Sequence, residues 1–240
     1  MMSKGLEIQE LAIAITAKNL NPTVINSDFF KYAGIVPADW ELAKQPIYTN
    51  TLVQILFNNG LGIIAQPNRI TIAEVIGAKN YQDVKVAEIA CQLVEKLSQV
   101  EYQSVGINPR GFVTFDSESG SYEYLCNNLL SPGSWQEFGE GKMNAALQLA
   151  YPLKQGQLNL GINQANIQFP EQVVPAILFS GNFNYSLTGD TQGERVQDLQ
   201  QLVQNWQESI NMFEKLITEK FLPSVTQTNV SVFPEMALSF

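Results

Sequence analysis

Residues 51–76, TLVQILFNNGLGIIAQPNRITIAEVI, decide the fold class. Two apolar runs rich in β-branched residues flank Asn58-Asn59-Gly60. Asn-Gly between such runs is the strongest short-range signal for a β-hairpin, because the tight turn needs positive φ at its central positions. The second run, LGIIAQPNRITIAEVI, reads as strand with Pro67 inside it. Proline cannot donate to a ladder, so Pro67, like Pro109 further on, marks an edge or bulge position. Upstream, LEIQELAIAIT (6–16) alternates in the same way. Leu6 and Ile8, then Leu11, Ile13 and Ile15, share a face with a slip near Gln9–Glu10, where a β-bulge is expected.

Helical spacing enters on either side of this strand-rich core. NSDFFKYAG (26–34) reads as a short helix capped by Ser27 and stopped by Gly34, and a further turn starts at Pro37–Asp39. From Asp83 to Ser98, Val86, Ile89, Ala90, Leu93 and Leu97 form one stripe opposite Glu88, Gln92 and Lys96, an amphipathic helix. YQSVGINPRGFVTFD (102–116) then reads as a strand pair or a kinked strand.

The second half runs through the same elements. KMNAALQLAYPL, LNLGINQANIQF and VVPAILFSGNFNYSLTG read as strands, with a turn at QGQ (155–157). A helix follows from Thr191, with Glu194 in its first turn, to near Leu222–Pro223. Val196, Leu199, Val203, Trp206, Ile210, Phe213 and Ile217 recur at alternating steps of three and four. Such a helix of about 28 residues is about 42 Å long. It can bury its stripe on its own sheet, or reach past that sheet and use Val196, Leu199, Val203, Trp206, Ile210 and Phe213 against a second subunit.

The fold class expected is α+β: two structurally similar halves, each an antiparallel sheet with one amphipathic helix packed on a face. The first half spans 1–118, a Gly-, Ser- and acid-rich linker 119–141, and the second half 142–240. Two such sheets can join edge to edge, which would cover two exposed edges. The C-terminal segment TQTNVSVFPEMALSF (226–240) is too apolar to hang free and is expected to dock or pair with a sheet edge.

Composition narrows the function. The 240 residues carry 14 basic and 23 acidic side chains, a formal charge of −9. Nucleic acid and anionic membranes attract clustered positive charge, so neither is an expected partner. There is no histidine, which removes Ser-His-Asp and Cys-His catalysis and histidine-ligated zinc. Cys91 and Cys126 form no CxxC pair, and Cys91 falls on a helical apolar pattern as a small hydrophobe. No stretch reaches the run of about 18 apolar residues that a membrane span needs, and the N-terminal segment lacks a signal-peptide pattern. A cytoplasmic location is the expectation. The 22 glutamines and 20 asparagines are spread along the chain, which points to a surface solvated by amides.

Only three arginines are present, and two recur in like settings: QPNR ending at Arg69 and NPR ending at Arg110. Placed together, Arg69 and Arg110 would form a fork for a carboxylate or phosphate. Placed apart, each would pair with a local acid such as Glu74 or Asp116, or with carbonyls freed by the proline. Asp116, Glu118 and Glu123 form an acidic stretch, without EF-hand spacing, that more simply reads as a solvated loop. Asp39 and Glu41 would serve as general acid and base only within an ordered cleft, and read more simply as helix-start acids. GLGIIAQ leads into a strand and is no phosphate loop. Trp40, Tyr48, Trp135, Phe138, Phe183 and Tyr185 fit core or interface packing, since basic residues are scarce among them. No metal and no cofactor is implied.

NPTVINSDFFKYAGIVPADWELAKQPIYTN (21–50), FNNGLGIIAQPNRI (57–70) and YQSVGINPRGF (102–112) together resemble a set of uncharacterised cyanobacterial proteins. The order of strands and helices resembles, more loosely, a sporadically distributed bacterial family of unknown function. The resemblance implies a bacterial cytoplasmic setting and carries no chemistry with it. The functional expectation is a non-enzymatic binding or assembly protein that self-associates or takes another protein as partner. The alternative is an enzyme or ligand-binding domain that uses carboxylates and the two arginines on an anionic small molecule.

Overall fold

A computed structural model of the chain describes residues 5–222. It is α+β, with one nine-stranded antiparallel sheet. In chain order the strands are β1 (Glu7–Lys18), β2 (Ile47–Tyr48), β3 (Val53–Leu56), β4 (Leu61–Gln66), β5 (Arg69–Val75), β6 (Glu101–Thr114), β7 (Ala146–Pro152), β8 (Gln157–Gln168) and β9 (Val173–Ser186). Across the sheet they run β2-β3-β4-β5-β1-β6-β9-β8-β7. The helices are α1 (Ser27–Tyr32), α2 (Val86–Lys96), α3 (Glu118–Glu123), α4 (Gln192–Gln204) and α5 (Trp206–Leu216). No helix of the described residues is long and apolar enough to cross a membrane. The apolar C-terminal segment 226–240 lies outside the described residues.

The Asn58–Gly60 hairpin forms as read, with Gly60 at φ +82° between β3 and β4. The run after it is two strands. Gln66 pairs with Arg69 around Pro67 and Asn68, and Asn68 takes φ +68°. Pro67 is therefore the leading residue of a tight turn, where its fixed φ is an asset. Pro109 departs further from expectation. It lies within β6, which has partners on both sides, opposite Leu11 of β1. The missing N–H is absorbed by the ladder to β9, where paired positions jump from Ile107↔Phe183 to Arg110↔Ser180. Gly181 lies in that gap. A Cβ there would stand 2.9 Å from the Phe213 ring and 3.2 Å from Pro109 Cγ, so glycine lets α5 settle onto the sheet.

One face of the sheet carries the main core. The Gln9 bulge, seen as a register shift between Ile8 and Glu10, brings Leu11, Ile13 and Ile15 into phase on this side. Ile70 and Ile72 of β5, Val105 and Ile107 of β6, and Phe179 and Phe183 of β9 join them. α2 lies on β1 and β5, α4 on β6 and alongside α2, and α5 on β6. The helix expected over 191–222 starts on Thr191, whose hydroxyl accepts from Glu194 N while Glu194 reaches back to the backbone of Thr191. It is divided at Asn205, where ψ rises to 17° and the helix re-aims as α5. Leu199, Val203, Ile210 and Phe213 are fully buried across that break and Trp206 nearly so, while Val196 is half-buried. Most of the stripe is thus buried within this chain, and of the six residues Val196 alone keeps part of its surface open. At the short first helix the cap is Asn26, whose Oδ1 accepts from Phe29 N at 2.8 Å, and not Ser27. Residues 119–141, expected as a linker, hold most of α3, a π-turn over Tyr124–Leu129 and a 3-10 turn over Ser134–Glu137.

Glu74 of β5 ties the two layers together. Its carboxylate is buried, receives Lys79 Nζ at 2.7 Å, and accepts the backbone N–H groups of Lys85 and Val86, each at 2.7 Å. Those donors lie at the start of α2, so a strand residue caps a helix that has no side-chain cap of its own. Glu74→Ala should lower stability by about 2 kcal/mol, since it strands the buried N–H of Val86, frees the part-buried N–H of Lys85 and leaves Lys79 with Asn59 O alone. Urea unfolding followed by circular dichroism measures this, and a loss below about 1 kcal/mol would show that the cap is dispensable.

Candidate functional site

Among the described residues no helix covers the middle strands of the second face of the sheet, and its side chains differ in kind. Alternation along each strand brings up Glu10, Ala12, Ala14 and Thr16 from β1; Arg69, Thr71 and Ala73 from β5; Asn108 and Arg110 from β6. Ser180 and Asn182 of β9, Asn159, Gly161 and Asn163 of β8, and Gln148 of β7 complete it. Most of these residues line a shallow cavity of about 440 Å³. Ala12, Ala73 and Gly161 give it a floor with little side chain, and the amides and arginines stand around that floor.

Arg69 and Arg110 therefore share a cavity without forming a fork. Arg69 lies opposite Thr16 and Arg110 opposite Glu10. Six residues of β1 separate those partners, about 20 Å along the strand. Glu74 is taken by Lys79 and α2, on the other face, and does not pair with Arg69. Arg110 instead meets Glu10, with Nη1 3.5 Å from Oε1. Burial pushes the Glu10 carboxyl above its ordinary value, and the neighbouring Arg110 only partly offsets this. No ion pair holds Arg69 among the described residues.

A chain of amides crosses the cavity. Gln157 Nε2 donates to Asn159 Oδ1 at 2.5 Å, Asn159 Nδ2 to Asn182 Oδ1 at 3.5 Å, and Asn182 Nδ2 to Asn108 Oδ1 at 2.5 Å. The last bond bridges β6 and β9 at the place where Pro109 interrupts the ladder. All donors in the chain point the same way, so each amide polarises the next. Among the described residues Asn108 Nδ2 donates to nothing, and the Asn108 amide leans over Gly106, where a Cβ would stand 3.3 Å from Oδ1 and 3.5 Å from Nδ2. The cavity carries two positive charges and one negative in a chain of formal charge −9. Beyond Asn163 the same face turns apolar, with Phe112, Ile167, Phe169 and Ala176 in a small buried cluster of their own.

Other residues singled out from the sequence do not join this site. Ser117 caps α3 through Gly120 N at 3.2 Å, which leaves Glu118 in the first turn of a helix and not in a loop. No group of three or more metal-ligating side chains gathers among the described residues. Cys91 donates weakly to Gln200 O on α4, and burial pushes its thiol up to about 11, far from a reactive thiolate. Trp40 packs edge-on to Phe57, Phe183 is core, and Tyr185 bonds Ser209 of α5. Trp135 and Phe138 are exposed. The sequence did hold a signal for the amide chain. Asparagine is disfavoured in strands, yet Asn159, Asn163 and Asn182, Asn184 recur at a spacing of two or four, on the phase opposite to the apolar residues. No protein-family model matches the chain, and no curated protein matches it.

Glu10 gives a pH signature. A carboxyl raised in the folded state holds its proton more tightly there than in the unfolded chain, so its contribution to stability is lost as pH rises through the raised value. Glu10→Gln should remove that decline, so the stability difference between variant and wild type should grow in the variant's favour from about pH 4 to about pH 7. Urea midpoints across this range measure it; parallel curves would show that Glu10 is an ordinary carboxylate.

Proposed function

We propose that the protein is a non-enzymatic binding protein whose open sheet face takes a small anionic ligand. The observation that carries this reading is the charge and donor pattern of the cavity. Two of the chain's three arginines and an undirected amide donor face a floor of alanine and glycine, in an otherwise acidic molecule. Guanidinium and amide N–H groups match carboxylate and phosphate oxygens. The lack of histidine and the tie between Glu10 and Arg110 favour binding over acid–base turnover. The bacterial, cytoplasmic setting implied by the sequence resemblance is part of this proposal.

Two matching units also belong to the proposal. What supports them is the strand order. Outward from the β1–β6 pair, one side runs β1-β5-β4-β3 and the other β6-β9-β8-β7. Each has a lone strand followed by a meander of three strands that leads into a helix, and the first side adds the two-residue β2 at its outer edge. We place the division at the turn between α2 and β6. Residues 119–141 then answer to the connection between β1 and β3.

Calorimetric titration with inorganic phosphate and with a small dicarboxylate such as succinate tests the binding reading. Arg110→Ala should weaken binding about 10- to 100-fold, the loss of one charge-assisted hydrogen bond. Arg69→Ala, at the rim, should weaken it less. A bound anion adds a negative charge beside Glu10 and favours its protonation, so, beyond the titration of the anion itself, affinity should gain from a fall in pH toward about 5, and Glu10→Gln should lose that gain. If the folded R69A/R110A double variant binds these anions as wild type does, or wild type binds neither, the reading is wrong.

A further inference from the structure

We propose that the outer edge of β7 pairs with the same edge of a second copy of this chain, joining two sheets into one. This goes beyond the cavity and does not rest on it. The two edges of the sheet are unlike. β2 has two residues, too short to template a partner, whereas β7 has seven and hydrogen-bonds on its inner side to β8. Among the described residues nothing pairs with its outer side. Long edges are ordinarily blunted by charge, bulges or length. β7 carries no charged residue, nor does the whole segment from Met143 to Leu153, and a proline closes it only at its end.

The pattern on β7 is self-complementary. Leu147, Leu149 and Tyr151 are half-buried toward the helical side, and Ala146, Gln148 and Ala150 are exposed on the open face. An antiparallel pair about a two-fold axis at Leu149 sets Leu147 opposite Tyr151 of the other copy and Leu149 opposite itself. That pairing extends the apolar stripe across the seam and keeps small residues on the other face. The axis stands perpendicular to the sheet, so both cavities open on the same side. Each copy offers one such edge, so the assembly closes at two. Charge selects this surface as well. Two molecules of formal charge −9 repel, and an uncharged strand is where they can approach at least cost.

Sedimentation equilibrium of the full chain over about 1 to 100 µM tests this, with Ala146→Lys/Ala150→Lys as the edge variant. These lysines point into solvent in a monomer, and in a dimer each lies diagonal to a lysine of the other copy across the seam. The expected result is a wild-type dimer and an edge variant whose dimer dissociation constant rises at least about 100-fold, with unchanged circular dichroism and urea midpoint at low concentration. A wild type that stays monomeric throughout overturns the proposal, as does an edge variant that dimerises like wild type. A full chain that is monomeric, where one truncated after Leu222 dimerises, also overturns it, because the edge is then not free in the intact protein.

Discussion

The antiparallel seam between β1 and β6 is the constraint on which the rest of the structure depends. It joins the meander β3-β4-β5 to the meander β9-β8-β7 and makes one sheet of them. Side chains alternate with a period of two, so the register at this seam fixes which residues every outer strand sends to each face. The bulge at Gln9 is the adjustment that makes the seam work. It sets Glu10 opposite Arg110 and Ala12 opposite Asn108 on one face, while Leu11, Ile13 and Ile15 meet α2 on the other. Slip this register by one residue and the ion pair would lie in the core while the isoleucines faced the cavity.

Given that seam, the two faces solve opposite problems. The helical face closes by close approach: Gly181 lets Phe213 of α5 onto the sheet, and Pro109 fills the space where the ladder is interrupted. Among the described residues the open face has no helix to bury against, so apolar side chains there would gain little, and amides are stable in their place. Asn182 Nδ2 donates to Asn108 Oδ1 across the interruption that Pro109 causes, which helps to offset the poor strand propensity of asparagine. The same proline thus helps to seat a helix on one side and leaves room for an amide bridge on the other. Donor capacity remaining at Asn108 after this pairing is what turns a solvated surface into a candidate site.

Much of the fold was legible because it is written in short-range patterns. Alternation located β1, β3, β4, β7, β8 and β9, helical spacing located α2 and the α4–α5 stripe, and Asn-Gly located a hairpin. The bulge near Gln9 could be read because one inserted residue shifts the phase of a regular alternation, and the apolar residues on both sides of it must still reach the same core. What escaped depended on pairing partners. Pro67-Asn68 is a tight turn only because Gln66 and Arg69 come to lie opposite each other, and Pro109 is tolerated in the middle of the sheet only because Gly181 faces it. Likewise, Arg69 and Arg110 look equivalent along the chain, but the register places them at opposite ends of one cavity. Glu10 as the partner of Arg110 could not be found from spacing at all, since 100 residues separate them (110 − 10).

Charge then limits how such a cavity could work. An anion approaching from solvent meets the field of a molecule of formal charge −9, which repels it at distances up to a Debye length of about 8 Å at physiological salt. Attraction begins only where the local balance of two arginines and one carboxylate takes over. Affinity must come from short-range, directed hydrogen bonds at Arg110 and Asn108 and not from long-range steering, so the ligand best matched to the site is small and carries few charges. Glu10 sharpens this selection. While ionised it occupies one side of the Arg110 guanidinium and repels a second carboxylate; its raised proton affinity lets it yield that side at modest cost. In the proposed binding, one buried carboxyl beside one arginine, both set in register by the β1–β6 seam, would couple occupancy of the cavity to a proton.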